Sequence, residues 1–304
     1  MKSALIAAAF ASTGAVALSA IAQDKEQQLV LRSGTSSVAV HVLVSNTKGP
    51  VRDLTAAEFV LKDSGVQQEI ATMTHERLPL DVTIVIDQLA QGEFASRERH
   101  PWVAEIETLL TDDDRIRVIS VGRDIAETAA LGPVGHAASA KTASSSDRVA
   151  VFDGVAGALM RVTPPGRQHL VVVITEGYDA YSFTSEEVLT GVGERSDAQM
   201  HVLVAEGRRI KTRTLARAPA VLPVRDGLAT LVTLARSSGG DVVPIGRTTR
   251  SVTSSMKKIL TDLRSGYVLY YTPTGVTERG WHPLTVTVSR PGQFEVRTRP
   301  GYTY

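Results

Sequence analysis

At 304 residues, 43% hydrophobic and 21% charged, the chain is long enough for one large or two medium domains and too apolar for wholesale disorder. The first 22 residues hold Lys2 and no acid, so without them 32 acidic residues face 32 basic ones, and no basic excess exists to drive binding to a nucleic-acid backbone. There is no Cys, which excludes disulfides and a lipid-modified N-terminal Cys and leaves stability to the hydrophobic core.

The N-terminus reads as a targeting signal. Lys2 gives a positive start, residues 4–18 an apolar stretch of small residues, and Ala20-Ile21-Ala22 an A-x-A cleavage site before Gln23. About 15 apolar residues, rich in Ala, fall short of the ~20 a bilayer span needs. Residues 1–22 are expected to be a cleaved signal peptide and residues 23–36 a leader. The product is then an exported protein, periplasmic or extracellular, with no transmembrane segment after signal cleavage.

Residues 37–78 read as a small β unit. In 38–44 Val38, Val40, Val42 and Val44 share one face, with Ala39, His41 and Leu43 on the other, the period of a strand. Asn46-Thr47-Lys48-Gly49-Pro50 is turn chemistry. Thr55-Ala56-Ala57-Glu58 is a capping box opening at most one helical turn. Asp63-Ser64-Gly65 then predicts a tight hairpin between 59–61 and 66–72.

From 79 to 265, short apolar runs alternate with helical patterns. Strands are predicted at 82–87, 115–121, 169–175, 200–205 and 241–244. Helices are predicted at 102–110, 148–162, 185–193, 227–237 and 252–263. This alternation predicts βαβ units and a mostly parallel sheet covered by helices on both faces. Thr184-Ser185-Glu186-Glu187 is a second capping box, and Gly239-Gly240 a helix stop. Residues 132–147 and 207–225 read as long loops, the second a basic flap. Residues 81–91, DVTIVIDQLAQ, are the central strand and its turn, with Asp87 at the carboxyl end where open α/β sheets bind ligands.

Period-2 patterning returns in residues 266–304, with strands predicted at 267–272, 283–289 and 294–299. These strands and those before Pro79 complement one another in one β-sandwich-like domain. The expected fold is therefore a doubly wound, mostly parallel α/β domain at 79–265, inserted in a small discontinuous accessory domain made of 37–78 and 266–304.

At these residues the chain resembles bacterial secreted proteins with a von Willebrand factor type A-related domain. The likeness runs from VAVHVLVSNTKGPVRDLTAAEFVLKDSGVQQEI through LPLDVTIVID, LLTDDDRIRVISVG, VFDGVAGAL and RQHLVVVITEGYDAYS to LRSGYVLYYTPTG and VRTRPGY. It implies a von Willebrand A-like α/β domain acting in adhesion or assembly. It also implies a metal-ion-dependent adhesion site, a D-x-S-x-S turn completed by a Thr and an Asp from other loops. Here Asp87 matches the first position, Leu89 and Gln91 stand at the two Ser positions, Val149 at the Thr and Glu176 at the Asp. Mg²⁺ prefers octahedral hard oxygens. Leu89 and Val149 offer no side-chain oxygen, so the site is expected to be degenerate. No cofactor is expected, and a Mg²⁺ or other divalent cation would have only Asp87 and Glu176 as carboxylate ligands.

Other chemistry reads as structure. Asp112-Asp113-Asp114 lacks the spacing of a Ca²⁺ loop and reads as a solvated helix-to-strand turn. Ser254-Ser255-Met256-Lys257 has S-x-x-K spacing without partner motifs, and Tyr267, Tyr270 and Tyr271 read as half-buried sheet. No nucleophile elbow, phosphate-binding loop or zinc-like His spacing occurs. The expected function is a non-enzymatic protein-interaction module that presents Asp87, Gln88, Leu89, Gln91, Val149, Asp153 and Glu176 to an unidentified protein partner. A hydrolase with a dispersed site and an envelope scaffold are the competing readings.

Overall fold

The computed structural model describes residues 37–75, 77–88, 101–122, 124–139, 149–164, 166–205, 225–246, 248–276 and 279–303. The expected signal peptide and leader, Leu89, Gln91 and all of the basic flap except Arg225 lie outside the described residues.

In chain order the strands are β1 Val38–Asn46, β2 Gly49–Pro50, β3 Phe59–Asp63, β4 Val66–Gln68, β5 Ile70–Thr74, β6 Leu80–Asp87, β7 Arg115–Val121 and β8 Ile125–Pro133. They continue as β9 Gln168–Thr175, β10 Tyr178–Asp179, β11 Gln199–Ala205, β12 Arg225–Asp226, β13 Val242–Ile245, β14 Tyr267–Tyr271, β15 Trp281–Val288, β16 Glu295–Arg297 and β17 Gly301–Thr303. The helices are α1 Pro101–Glu107, α2 Val151–Leu159, α3 Glu186–Glu194, α4 Leu228–Ser237 and α5 Thr249–Leu263.

A six-stranded sheet runs β13-β11-β9-β6-β7-β8. All its pairings are parallel except β7 with β8. All eight residues of β6 are buried, as a central strand covered on both faces requires. Alternate residues feed two cores. Val82, Ile84 and Ile86 pack with Trp102 and Ile106 of α1 and with Met256 and Leu260 of α5. On the other face Val85, Val171 and Val173 pack with Phe152 and Val155 of α2, Leu189 of α3 and Leu231 of α4. Each such side chain, once buried, contributes about 1.5–3 kcal/mol.

The two ends of the chain interleave. β1 pairs antiparallel with β14 and β16, and β14 with β5. In a separate sheet β15 pairs antiparallel with β3 and β17, and β3 with β4. Val40 and Val42 of the first sheet and Leu61, Leu284 and Val286 of the second share one buried cluster with Tyr267 and Tyr271. The β3–β4 turn places Ser64 at φ 49° and Gly65 at φ 82°, the positive pair that a two-residue type I′ hairpin demands.

Inside this cluster Asp63 is fully buried. Its carboxylate accepts hydrogen bonds from Tyr271 Oη at 2.7 Å, Tyr302 Oη at 2.8 Å and His282 Nδ1 at 3.0 Å, tying both sheets to one residue. Burial pushes the Asp63 pKa upward, but these bonds outweigh it and hold the group below the ordinary carboxylate value.

Several expectations need correction. Residues 125–133 form an edge strand, so the loop predicted from 132 begins in β8 and contains a 3-10 turn at Ala137–Ser139. The cap of α3 is Ser185, not Thr184: Ser185 Oγ accepts from Val188 N–H at 3.2 Å, leaving Glu187 outside the box. Asp114 is buried, accepting from Leu80 N–H, Thr111 N–H and Arg264, so one of the three acids in that turn is structural. Tyr267 and Tyr271 are fully buried core residues, and of the three only Tyr270 is half-buried. The capping box at Glu58 is present, its carboxylate accepting from Thr55 N–H at 2.8 Å. Ser254 is spent on a bond to its own helix, donating to Ser251 O at 3.0 Å.

Candidate functional site

Counted in chain order, the six strands of the central sheet lie 3-2-1-4-5-6, the doubly wound order. The order reverses between the first strand, β6, and the fourth, β9. The crevice beyond the carboxyl ends of these two strands is where such sheets take ligands. Asp87 ends β6 and Thr175 ends β9.

Asp87 is 1% exposed. Its Oδ2 accepts from the Thr175 hydroxyl at 2.7 Å and from the Glu176 N–H at 3.2 Å. The Thr175 hydroxyl in turn accepts from Gly177 N–H at 2.8 Å. Gly177 has φ 86°, and a Cβ there would stand 2.9 Å from that of Leu228, so the turn that aims these donors needs glycine. The donors on Oδ2 thus come from the neighbouring strand end, and Thr175, which sequence reasoning passed over as an ordinary strand residue, is the closest of them.

Around this core the rim residues divide. Gln88 and Glu176 are buried beside Asp87. Gln88 donates its N–H to Val121 O at 2.9 Å and its side chain lies against Gly122. Val149 is fully buried, and its carbonyl accepts from Ala180 N–H and Tyr181 N–H. Asp153 is committed elsewhere: its carboxylate accepts from Phe183 N–H at 3.0 Å and Thr184 N–H at 2.8 Å. It fastens α2 to the loop after β10.

A second carboxylate network escaped sequence reasoning. Asp179 is fully buried and accepts from Phe152 N–H at 3.2 Å, from Ser182 Oγ and from Arg225 Nη2 at 2.8 Å. Arg225 also stacks over the Phe152 ring, 5.1 Å from its centroid. The only local signal was the Asp179-to-Ser182 spacing in TEGYDAYS.

A Mg²⁺ site needs about six hard oxygens at ~2.1 Å. Here the Asp87 Oδ2 is occupied by two donors, and the position matched to a hydroxyl ligand is buried Val149. Among the described residues no three His, Asp or Glu side chains are grouped to hold a cation. At the described matched positions, then, Asp87 brings a carboxylate already bonded at Oδ2 and Val149 brings no side-chain oxygen. Among the described residues too, no helix is long and apolar enough to cross a membrane.

No known protein family and no curated protein matches the chain in sequence. Solved structures are similar to it in three dimensions. A von Willebrand factor type A protein from Catenulispora acidiphila is similar over 90% of this chain and 74% of its own, at 11% identity and a TM-score of 0.43. The ArnB paralog VWA2 from Sulfolobus acidocaldarius is similar over 87% of this chain and 75% of its own, at 9% identity and a TM-score of 0.44. BatB from Bacteroides thetaiotaomicron, described as a conserved hypothetical protein, is similar over 60% of this chain and 98% of its own, at 14% identity and a TM-score of 0.39. The fold class itself rests on the strand order and registers above. In the order of its motifs the chain resembles von Willebrand factor type A-related domain proteins.

Proposed function

We propose that this chain is an exported, non-enzymatic protein-interaction module, for adhesion or assembly, whose metal-ion-dependent adhesion site is degenerate. The observation that carries the reading is the state of Asp87, whose Oδ2 is satisfied by the Thr175 hydroxyl and the Glu176 amide where Val149 offers no side-chain oxygen. A carboxylate held this way has its hydrogen bonds met without a cation. In this reading residues 1–22 are the signal peptide and 23–36 the leader. The α/β domain spans 79–265, and residues 37–78 with 266–304 form the β-sandwich accessory domain. The partner meets the rim formed by Asp87, Gln88, Leu89, Gln91, Val149, Asp153 and Glu176.

Calorimetry with Mg²⁺, Mn²⁺ and Ca²⁺ tests the degenerate site. No saturable heat is expected, and binding that disappears in Asp87→Ala overturns it. Cross-linking in the native envelope, with and without chelator, tests the module: a protein captured equally in both is expected, and capture lost with chelator overturns it. Turnover of an esterase, peptidase or glycosidase substrate that is lost on changing a rim carboxylate overturns the non-enzymatic reading.

A further inference from the structure

After β10 the chain turns through Ser182, Phe183 and Thr184 before α3 begins at its Ser185 cap. Phe183 is 94% exposed there, more than any other Phe, Tyr or Trp among the described residues. A single exposed apolar residue is ordinary on a protein surface. What sets Phe183 apart is the rigidity of its mount.

The two oxygens of the Asp153 carboxylate accept from Phe183 N–H at 3.0 Å and from Thr184 N–H at 2.8 Å. Arg225 Nη2 donates to Ser182 O and to Thr184 O, each at 3.2 Å. Ser182 Oγ accepts from Asp153 N–H at 3.1 Å. Both supports are fixed in turn. Asp153 lies in the first turn of α2, and Arg225 is paired with buried Asp179 at 2.8 Å and stacked over Phe152.

Fastening α2 to α3 in this way uses only the backbone at position 183. Asn, Ser or Gly would serve in such a turn without setting a benzyl group in water. An anchor side chain, by contrast, gains from a pinned backbone, because the cost of ordering it is met before a partner arrives. Aromatic rings are also among the side chains that interfaces favour.

The surroundings indicate what the partner carries. Glu186 and Glu187 follow in the first turn of α3, both exposed, with Val188 exposed beside them in sequence. The cation that touches the turn, Arg225, is committed to Asp179. The face is therefore apolar and negative. Two carboxylates near the ring oppose an anionic lipid surface, and in a two-fold contact a second copy would set the same acids against each other. A protein with basic groups around an apolar pocket complements it.

We propose that Phe183 anchors the partner contact, its ring entering an apolar pocket whose lip carries Lys or Arg opposite Glu186 and Glu187. This rests on the reading of the rim as a protein-binding surface. It adds a residue outside the positions matched to the metal site, with Asp153 and Arg225 as positioning residues.

The envelope cross-linking is repeated with Phe183→Ala, Phe183→Leu and, as a control just before β9, Val162→Ala at an equally exposed residue, 92%. Capture of the protein taken by the unaltered chain is expected to fall about tenfold or more in Phe183→Ala, less in Phe183→Leu and not in Val162→Ala, with urea midpoints unmoved. Replacing both Glu186 and Glu187 by Gln is expected to lower capture severalfold. Chymotrypsin, followed by fragment mass, is expected to cut after Phe183 about tenfold faster in Asp153→Ala than in the unaltered chain. Capture undiminished in Phe183→Ala overturns the anchor and leaves the rim reading standing, whereas no capture by the unaltered chain overturns both. A cross-linked species that is a second copy or lipid overturns the proposal, as does capture unchanged by the paired Gln substitutions. Equal chymotrypsin rates, or a urea midpoint that falls in step with capture, overturn it too.

Discussion

Strand β6 carries a buried aspartate near each end, and the two are held by different chemistry. Near the amino end Asp81 accepts from Arg115 Nε at 2.8 Å and Nη2 at 2.6 Å, and from Arg167 Nε at 2.7 Å. At the carboxyl end Asp87 Oδ2 accepts from a hydroxyl and an amide. The first arrangement clamps three chain segments, since Arg167 also donates to Leu80 O and Asp113 O. The second sets a turn. The amino end is a charged lock beside the accessory strands, and the carboxyl end is a polar joint at the switch point where sheets of this kind take ligands.

Removing the lock gives the largest effect. Asp81→Ala leaves two partly buried guanidiniums without their carboxylate and is expected to cost about 4 kcal/mol, read as a lower urea midpoint. Asp81→Asn keeps an acceptor and should cost less. A loss under 1 kcal/mol for Asp81→Ala would erase the distinction between the two ends.

Acid should attack the amino end next. His41 and His201 are held at about 4, in each case by burial first and then by a nearby arginine, Arg299 or Arg297. Between pH 6.5 and about 4 the unfolded chain binds protons that the folded chain does not, so stability falls as pH falls through that window. Each histidine is worth about 3 kcal/mol across it. Asp81 is pushed up by burial but held lower overall by Arg115 and Arg167, and it contributes stability above the ordinary carboxylate value that is lost further down. Denaturation midpoints from pH 7 to 4 read the effect, and a double His41→Gln, His201→Gln variant should flatten the curve.

Cutting the carboxyl end should be milder. Asp87→Ala strips the acceptor from a buried hydroxyl and an amide, about 2 kcal/mol, and Thr175→Val about 1 kcal/mol. If Asp87→Ala costs as much as Asp81→Ala, the carboxyl end is a lock as well.

The same contrast explains what was legible in the sequence. Runs such as VTIVI and LVVVIT announce buried strands because each residue reports its own environment. The β8 segment, IAETAALGP, holds Ala, Glu and Leu with exposed Ile125, and only pairing with β7 makes it a strand. Asp87 was visible because it stands at the end of its own strand. Its acceptor role was not, because Thr175 lies 88 residues away. The Asp81 lock was hidden for the same reason, its arginines lying 34 and 86 residues along the chain. Local pattern reports burial; polar pairing across a sheet depends on register, which one sequence does not state.

The smallest predicted effect probes the carboxyl end without touching its carboxylate. A Cβ at Gly122 would stand 3.0 Å from Gln88 Oε1, the far end of a flexible side chain that otherwise reaches Ser120 Oγ at 3.5 Å. Gly122→Ala should therefore displace Gln88 rather than the backbone, at a cost of about 0.5–1 kcal/mol. The Asp87–Thr175 bond lies on the other side of β6, toward β9, and should survive. If the rim meets the partner through Gln88, this variant weakens cross-linking severalfold while the urea midpoint moves little. If Gln88 only fills the slot that Gly122 leaves, capture stays at its original level and the rim's contact moves to its remaining members.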